Sequence, residues 1–387
     1  MSSKLVKRSP EFSGRLPDLP TDTIDEILVR LPPKSIGRLR CVCKSWAALT
    51  SSPSFINAHL DHHSSKNSNH QILCTLPFWD PSHFHSIYLL RRGAGAAPLI
   101  LNFPPSIRFD NHAESQLRVS SHRGLVCLWT HHPTSPIYLW NPLTGESRTL
   151  PPSRYRSSRS VRYVWAGLGS LQLSDGTKDY KVVRVSRFKN KEVLEIKAEV
   201  YSLRRGSWKD VTVNSKSPLI CLCNGEVAVA NQSVNWIGMQ KPFGFAVASF
   251  DVEAEAFRCI EFSERGRLFM PRIGVWRGRV GVLAETETGE WEVWVMRETS
   301  WERAFVYRPG EECMERARPV GFTMGGEVLL AAKGKNRMGM VARKEWGETG
   351  VGVKMVDEEF LLPMDADVVN MYLCAFCSHV ESLVSVH

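Results

Sequence analysis

Two hydrophobic periods divide the chain. Over residues 16–60 the apolar positions recur at helical spacing: Ile24, Ile27, Leu28 and Leu31 fall at i, i+3, i+4 and i+7, one stripe of a short amphipathic helix. Asp22, Asp25 and Glu26 occupy its first turns, where the helix dipole favours negative charge. Pro32 and Pro33 stop it. A second helical run carries Ile36, Leu39, Val42, Cys43, Trp46 and Leu49 and ends before Pro53, and a third short helix is expected over 55–60. About forty-five residues in three short helices bury too little apolar surface to stand alone. Either they cap their own chain or they lend an apolar face to a partner.

Beyond residue 70 the period changes from helical to alternating. Short runs rich in Val, Ile, Tyr and Trp are separated by Gly, Asp, Asn and Pro, the pattern of strands and tight turns. One outline recurs in LWNPLTGESRTLP from Leu139, VYSLRRGSWKDV from Val200, SFDVEAEAFRCIEF from Ser249, VWVMRETSWERAFVY from Val293 and MVARKEWGETGVGVKM from Met340. Before most of these lies a second strand pair around a glycine, as in SSHRGLVCLW, GVWRGRVGVLAE and GFTMGGEVLLAAKG. Four strands per unit, recurring at roughly 45 to 60 residues, is the period of propeller blades and not of helical solenoids. The expected fold is therefore a small all-α segment followed by an all-β domain, a six-bladed β-propeller. A C-terminal strand over 368–386 is expected to pair with the first blade and close the ring, removing open sheet edges.

The expected domain plan is a disordered basic arm (1–15), the helical segment (16–60), a polar linker (61–70) and the β domain (71–387). The histidines of the stretch from His59 onward show no metal spacing and read as solvated loop. No run in the 387 residues approaches the eighteen or so uncharged apolar residues of a membrane span, and the N-terminus lacks the apolar core of a signal peptide. Ten cysteines without such a signal read as reduced thiols of the nucleus or cytoplasm. The close pairs Cys41/Cys43, Cys221/Cys223 and Cys374/Cys377 lack a second pair at zinc spacing, so no metal and no cofactor is expected. A net charge of +9 favours acidic partners without by itself indicating nucleic acid.

The order of residues in the helical segment adds a resemblance. Leu19-Pro20, Ile27-Leu28-Val29-Arg30-Leu31-Pro32, Lys34-Ser35 and Arg38-Leu39-Arg40-Cys41-Val42-Cys43-Lys44-Ser45-Trp46 resemble the F-box of plant F-box proteins. Gly37 departs from it, standing where a bulky apolar residue is usual, at about 1 kcal/mol of helix propensity against alanine. Residues 99–386 resemble, more loosely, the kelch-like F-box-associated domain of the same proteins. The likeness is carried by Arg123-Gly124-Leu125-Val126, Leu139-Trp140-Asn141-Pro142, Asn235-Trp236, Ser249-Phe250-Asp251 and Val293-Trp294-Val295-Met296 before Trp301.

What the resemblance implies is a substrate receptor of a Skp-cullin-F-box ubiquitin ligase. The helices would dock on the Skp-type adaptor, and through it on cullin and RING subunits, while the β domain holds a target protein for ubiquitination. Adaptor contact is expected among Leu19, Pro20, Ile24, Ile27, Leu28, Leu31, Pro32, Ile36, Leu39, Val42 and Trp46, some of which must be internal core. No catalytic residue is expected: GxSxG, GxxxxGK[ST], HExxH and a Rossmann fingerprint after a strand are all missing.

The most basic stretch, RYRSSRSVRY from Arg154, lies in a connection between units. Arg154, Arg156, Arg159 and Arg162, with Trp165, form a candidate target-binding set, either for an acidic or phosphorylated signal through forked hydrogen bonds or for RNA by charge and stacking. A solvated loop is the bland alternative. Trp140, Trp208, Trp236, Trp276, Trp294 and Trp301 recur at corresponding places and read as packing between blades, whereas Trp79 and Trp165 fall outside the outline and are expected to be exposed. The alternative function is a propeller that binds RNA or an anionic ligand, with the helices as a structural cap. A glycan-binding or hydrolytic propeller ranks lower because paired carboxylates are missing.

Overall fold

A computed structural model describes residues 21–65, 71–75, 87–90, 99–109, 117–156, 158–190, 193–213, 219–223, 225–240, 244–262, 269–298, 300–307, 317–332, 337–346, 350–361 and 375–387. Four short helices come first: α1 (Thr21–Val29), α2 (Pro33–Leu39), α3 (Lys44–Ser51) and α4 (Pro53–Ser64). Pro33 opens α2 at a position whose N–H would lack a helical partner anyway. Ser52 caps α4, its Oγ accepting from the Phe55 amide at 3.3 Å.

Two expectations for this segment are corrected. The single run through Ile36 and Leu49 is two helices, because Arg40 to Cys43 form a turn in which Cys43 is extended (φ −154, ψ 162); valine and cysteine are weak helix formers, and the break swings Val42 out to solvent. The stretch from His59 to Ser64 is helix and not polar linker. His59 and His63 are buried, and both donate Nε2–H to the Leu31 carbonyl, at 2.9 and 3.0 Å, which locks α4 to the end of α1.

The β domain contains β1 (Gln71–Thr75), β2 (Ile87–Leu90) and β3 (Leu99–Leu101); then β4 (Leu117–His122), β5 (Leu125–Thr130), β6 (Tyr138–Trp140) and β7 (Ser147–Thr149). There follow β8 (Val161–Gln172), β9 (Lys178–Asn190), β10 (Val193–Ser202) and β11 (Ser207–Val211), and then β12 (Leu219–Leu222), β13 (Ala228–Ala230), β14 (Ser233–Gln240), β15 (Gly244–Asp251) and β16 (Ala256–Glu261). The last groups are β17 (Phe269–Trp276), β18 (Arg279–Glu285), β19 (Trp291–Arg297) and β20 (Ser300–Tyr307); β21 (Ala317–Phe322), β22 (Glu327–Ala332), β23 (Arg337–Trp346) and β24 (Gly350–Leu361); and β25 (Ala375–His379).

Each later group is one antiparallel sheet of consecutive strands, and β25 joins the first group in the order β25-β1-β2-β3. The arrangement is a β-propeller. The recurring outlines of the sequence are its outer hairpins, β6–β7, β10–β11, β15–β16, β19–β20 and β23–β24.

Why such strands are apolar on both faces is visible in β5, all six residues of which are buried. Leu125, Cys127 and Trp129 enter a core shared with Leu168, Tyr180 and Val182. Val126 and Leu128 point the other way, into a core shared with Leu73, Ile87 and Leu117. A blade sandwiched between two others buries both sides of its inner strands, so the period-two signal fades there.

The indoles of Trp140, Trp236, Trp276 and Trp294 are buried. Those of Trp208 and Trp301, on outer strands, donate Nε1–H to carbonyls of the preceding sheet's end, Pro151 at 2.7 Å and Glu261 at 3.1 Å.

The C-terminal strand is shorter than expected. β25 pairs with β1 only over 375–379, for example Leu73↔Cys377, and from Val380 the chain leaves the sheet; residues 368–374 lie outside the described set. Instead of pairing further, the tail is held across the β4–β7 sheet. Asn141 Nδ2 donates to the carbonyls of Ser382 (3.0 Å) and Val384 (2.7 Å). Ser382 Oγ donates to Arg123 O, and the Val386 amide to Glu146 Oε2 at 3.2 Å. Leu383 is inserted among Leu28, Ile36 and Phe55 of the helices, so the tail is a strap between helices and propeller.

Candidate functional site

The helices meet the propeller through α4 and the strap. Asn57 Nδ2 donates to Gly176 O at 3.2 Å, in the β8–β9 turn, and Asp61 pairs with Arg123 in the β4–β5 turn. Leu60 enters the core that contains Leu125 and Leu168. Leu143, in the β6–β7 turn, packs against the cluster of Leu28, Ile36 and Phe55. The turns at 123–124, 141–146 and 173–177 therefore define the helix-bearing face of the propeller.

On α1–α3 the structure divides residues that sequence spacing could not. Leu28 and Ile36 are buried core; Ile24, Leu31, Leu39 and Trp46 are half-buried. Ile27 and Val42, 47% and 66% exposed, and Pro32 lie open to solvent. Leu19 and Pro20 lie outside the described residues. Gly37 is exposed, with nothing within 4 Å of where a Cβ would sit, so the departure from the F-box pattern leaves no internal gap. The helices thus cap their own chain through one set of apolar residues and leave another set in water.

A cavity of about 220 Å³ opens under the end of α4, lined among others by Ser64, His122, Arg123, Glu226, Phe322 and His379. Its charged groups are committed to the chain itself: Arg123 to Asp61, and Glu226 to Arg272 at 3.0 Å. Burial pushes the Glu226 carboxyl up, with Arg272 opposing. No cluster of three or more His, Cys, Asp or Glu side chains able to hold a metal exists among the described residues. Cys41 and Cys43 are exposed free thiols, and Cys374 lies outside the described residues.

The basic stretch lies at the other end of the propeller. β8 runs from Val161 to the helix-side turn after Gln172, so Arg162 is roughly 33 Å along the strand from that turn. The connection before β8 is anchored from below: buried Arg184 donates to Ser153 Oγ (2.7 Å), Ser186 Oγ (2.7 Å) and Glu199 Oε2 (3.1 Å), and Tyr155 packs edge-on to Phe188.

The four arginines differ. Arg154 is paired with Asp210, and Arg156 Nε donates to Thr134 O at 2.8 Å. Arg159 and Arg162 are exposed.

Trp165, expected at the surface, is buried in the core between its own sheet and the next. Tyr163, two residues earlier on the same strand and opposite Arg187, is 48% exposed. Sequence reasoning also missed Arg187 and Lys189 on β9. Only strand pairing brings them to this place: Tyr163 pairs with Arg187, and the Lys189 amide donates to Ser160 O at 2.9 Å.

A ridge-bearing helical cap on a β-propeller defines the class, and comparison with known proteins agrees. Residues 16–57 match the F-box domain and residues 102–386 the F-box associated beta propeller domain; the chain belongs to the family of F-box proteins carrying that propeller. It is 26% identical over 327 residues to the F-box/kelch-repeat protein At3g23880 of Arabidopsis thaliana, covering 81% of this chain and 85% of that protein. It is 28% identical over 319 residues to the F-box protein CPR1 of the same plant, covering 74% of this chain and 72% of that protein. Among solved structures, TolB from Acinetobacter baumannii overlaps it with a TM-score of 0.44 at 10% identity, over 84% of this chain and 72% of that one.

Proposed function

We propose that this protein is the substrate receptor of a Skp-cullin-F-box ubiquitin ligase, working in the nucleus or cytoplasm. The ridge of Ile27, Pro32 and Val42 docks on the Skp-type adaptor, which links the chain to cullin and RING subunits, and the propeller holds a target protein. The chain contributes no bond chemistry. Its mechanism is proximity: target lysines are kept at high effective concentration near a ubiquitin thioester carried by other subunits.

The observation that carries this reading is the separation of surfaces. One set of apolar residues of the helical segment is consumed by α4 and the strap, while Ile27 on α1 and Val42 in the α2–α3 turn stay exposed. Apolar side chains left in water on so small a helical unit support a docking role, and F-box membership supports a Skp-type adaptor as the occupant.

We further read the six sheets as six blades of a ring in which β25 supplies the inner strand of the first. The pairing of β25 with β1, and the contacts of β25 with both β4 and β21, support that reading.

The test is adaptor capture by the full chain carrying Ile27→Asp and Val42→Asp. Both side chains are exposed, so the thermal melt should be unchanged while capture falls at least tenfold, in line with losing two apolar anchors of an interface. Undiminished capture by a folded variant overturns the docking assignment.

A further inference from the structure

We propose that the target-binding surface is the basic platform of Arg159, Arg162, Tyr163, Arg187 and Lys189, on the propeller face opposite the helices, and that it takes an acidic peptide segment. The inference rests on the receptor reading above and adds the place and chemistry of recognition.

Four cations meet here without an ion-pair partner among the described residues. The register sets them together: Tyr163 lies opposite Arg187, and Ser160, flanked by Arg159 and Arg162's strand, is bonded to the Lys189 amide. Two carboxylates of the same sheet are engaged elsewhere, Asp210 with Arg154 and Glu195 with Lys197 at 3.5 Å. Like charges gathered and left unneutralised on one face attract an anion.

Arg187 shows the fit in more detail. Its guanidinium carbon stands 5.7 Å from the Tyr163 ring centroid, a cation–π contact that leaves N–H groups of the guanidinium to acceptors. Arg187 is half-buried and has no ion-pair partner among the described residues, so a carboxylate or phosphate oxygen can pair with the accessible part of its guanidinium. The surface is also rigid, because the buried Arg184–Glu199–Ser153 network fixes the connection from beneath. A preorganised site loses less ordering entropy on binding.

RNA is disfavoured by the same geometry. A nucleic-acid track needs successive exposed rings along a continuous basic groove. Here Tyr163 is the one large exposed ring of the platform, Trp165 is buried, and Asp210 interrupts the charge at Arg154. A compact patch of forked donors beside a single aromatic suits one anionic side chain and its neighbour.

The experiment uses the full chain bound to its adaptor. Peptide libraries randomised around a fixed central phosphoserine, a fixed central pair of glutamates or a fixed central serine are passed over the immobilised complex. The proposal requires enrichment of the phosphoserine or the glutamate library over the serine library; which of the two wins identifies the source of the anion. Arg159→Glu with Arg162→Glu should lower affinity for an enriched peptide about tenfold or more for each guanidinium reversed. Because both side chains are exposed, adaptor capture and the melt should be unchanged.

Equal recovery of all three libraries overturns the proposal. So does an unaltered affinity in the reversed variant, or binding confined to a random single-stranded RNA with a steep salt dependence. Failure here with adaptor capture intact removes only this surface; loss of capture in the ridge variant removes the receptor reading itself.

Discussion

Asn141 joins the blade turn to the strap, and one nearly isosteric change separates the two roles. Its side chain is fully buried. Oδ1 accepts from the Leu143 amide at 2.9 Å, shaping the β6–β7 turn, while Nδ2 donates to the Ser382 and Val384 carbonyls. Asn141→Asp keeps the acceptor and replaces the donor by an oxygen facing two carbonyl oxygens. Each buried carbonyl left without a donor costs about 1–3 kcal/mol, so the change should remove about 2–6 kcal/mol at neutral pH, a large share of the 5–15 kcal/mol typical of a domain.

The pH dependence has a definite sign. Burial against carbonyls raises the introduced carboxyl's folded pKa above its unfolded value. The ionised form therefore carries the penalty, and the gap to the natural protein narrows as pH falls through the folded pKa, because the protonated acid can donate to one carbonyl. Urea unfolding of both proteins across a pH series measures this gap, and carboxypeptidase digestion reports separately on release of residues 380–387. A loss under about 0.5 kcal/mol, the size of an ordinary surface change, or a gap that does not vary with pH, would refute the assignment.

Three further outcomes follow from neighbouring contacts. Gly124 sits at φ +81 with its missing Cβ 1.9 Å from Ser382 Oγ, so Gly124→Ala should cost about 2 kcal/mol or more; adding Ser382→Gly should restore the clash component but not the backbone strain, as read by melting temperature. His131 donates Nδ1–H to Val164 O at 2.9 Å and accepts at Nε2 from Arg118 Nε at 3.1 Å, and burial pulls its pKa down to about 4. Its neutral form is the folded one, so the stability it contributes is present above about pH 6.5 and is lost as pH falls toward 4; His131→Gln should flatten that part of the denaturant-midpoint profile. Glu199→Gln strands the buried Arg184 charge and should cost about 3–5 kcal/mol, whereas the double change Arg184→Met with Glu199→Leu should cost less, a comparison made by chemical unfolding.

Local chemistry wrote much of this protein into its sequence. The spacing of Ile24, Ile27, Leu28 and Leu31 with the following Pro32-Pro33 announces a short helix and its end. The repeated strand–turn–strand outlines, such as LWNPLTGES and VWVMRETSWER, mark hairpins that the fold contains, because turn residues and alternation act between neighbours. The F-box pattern was legible for the same reason.

Tertiary packing decided the rest. Ile27 and Leu28 are adjacent and equally apolar, yet one is exposed and the other buried, since only the position of α4 and Leu383 determines which side of α1 is inside. Trp165, expected in water, is buried by the core its sheet shares with the next one, and Arg187 reaches the platform from a strand whose own residues show no sign of it. His59 to His63 read as loop until Leu31 O, some thirty residues earlier, offered them an acceptor. Sequence specifies which elements form; which faces stay in water depends on contacts between residues hundreds of positions apart, as between Asn141 and Val384, and no local spacing encodes those.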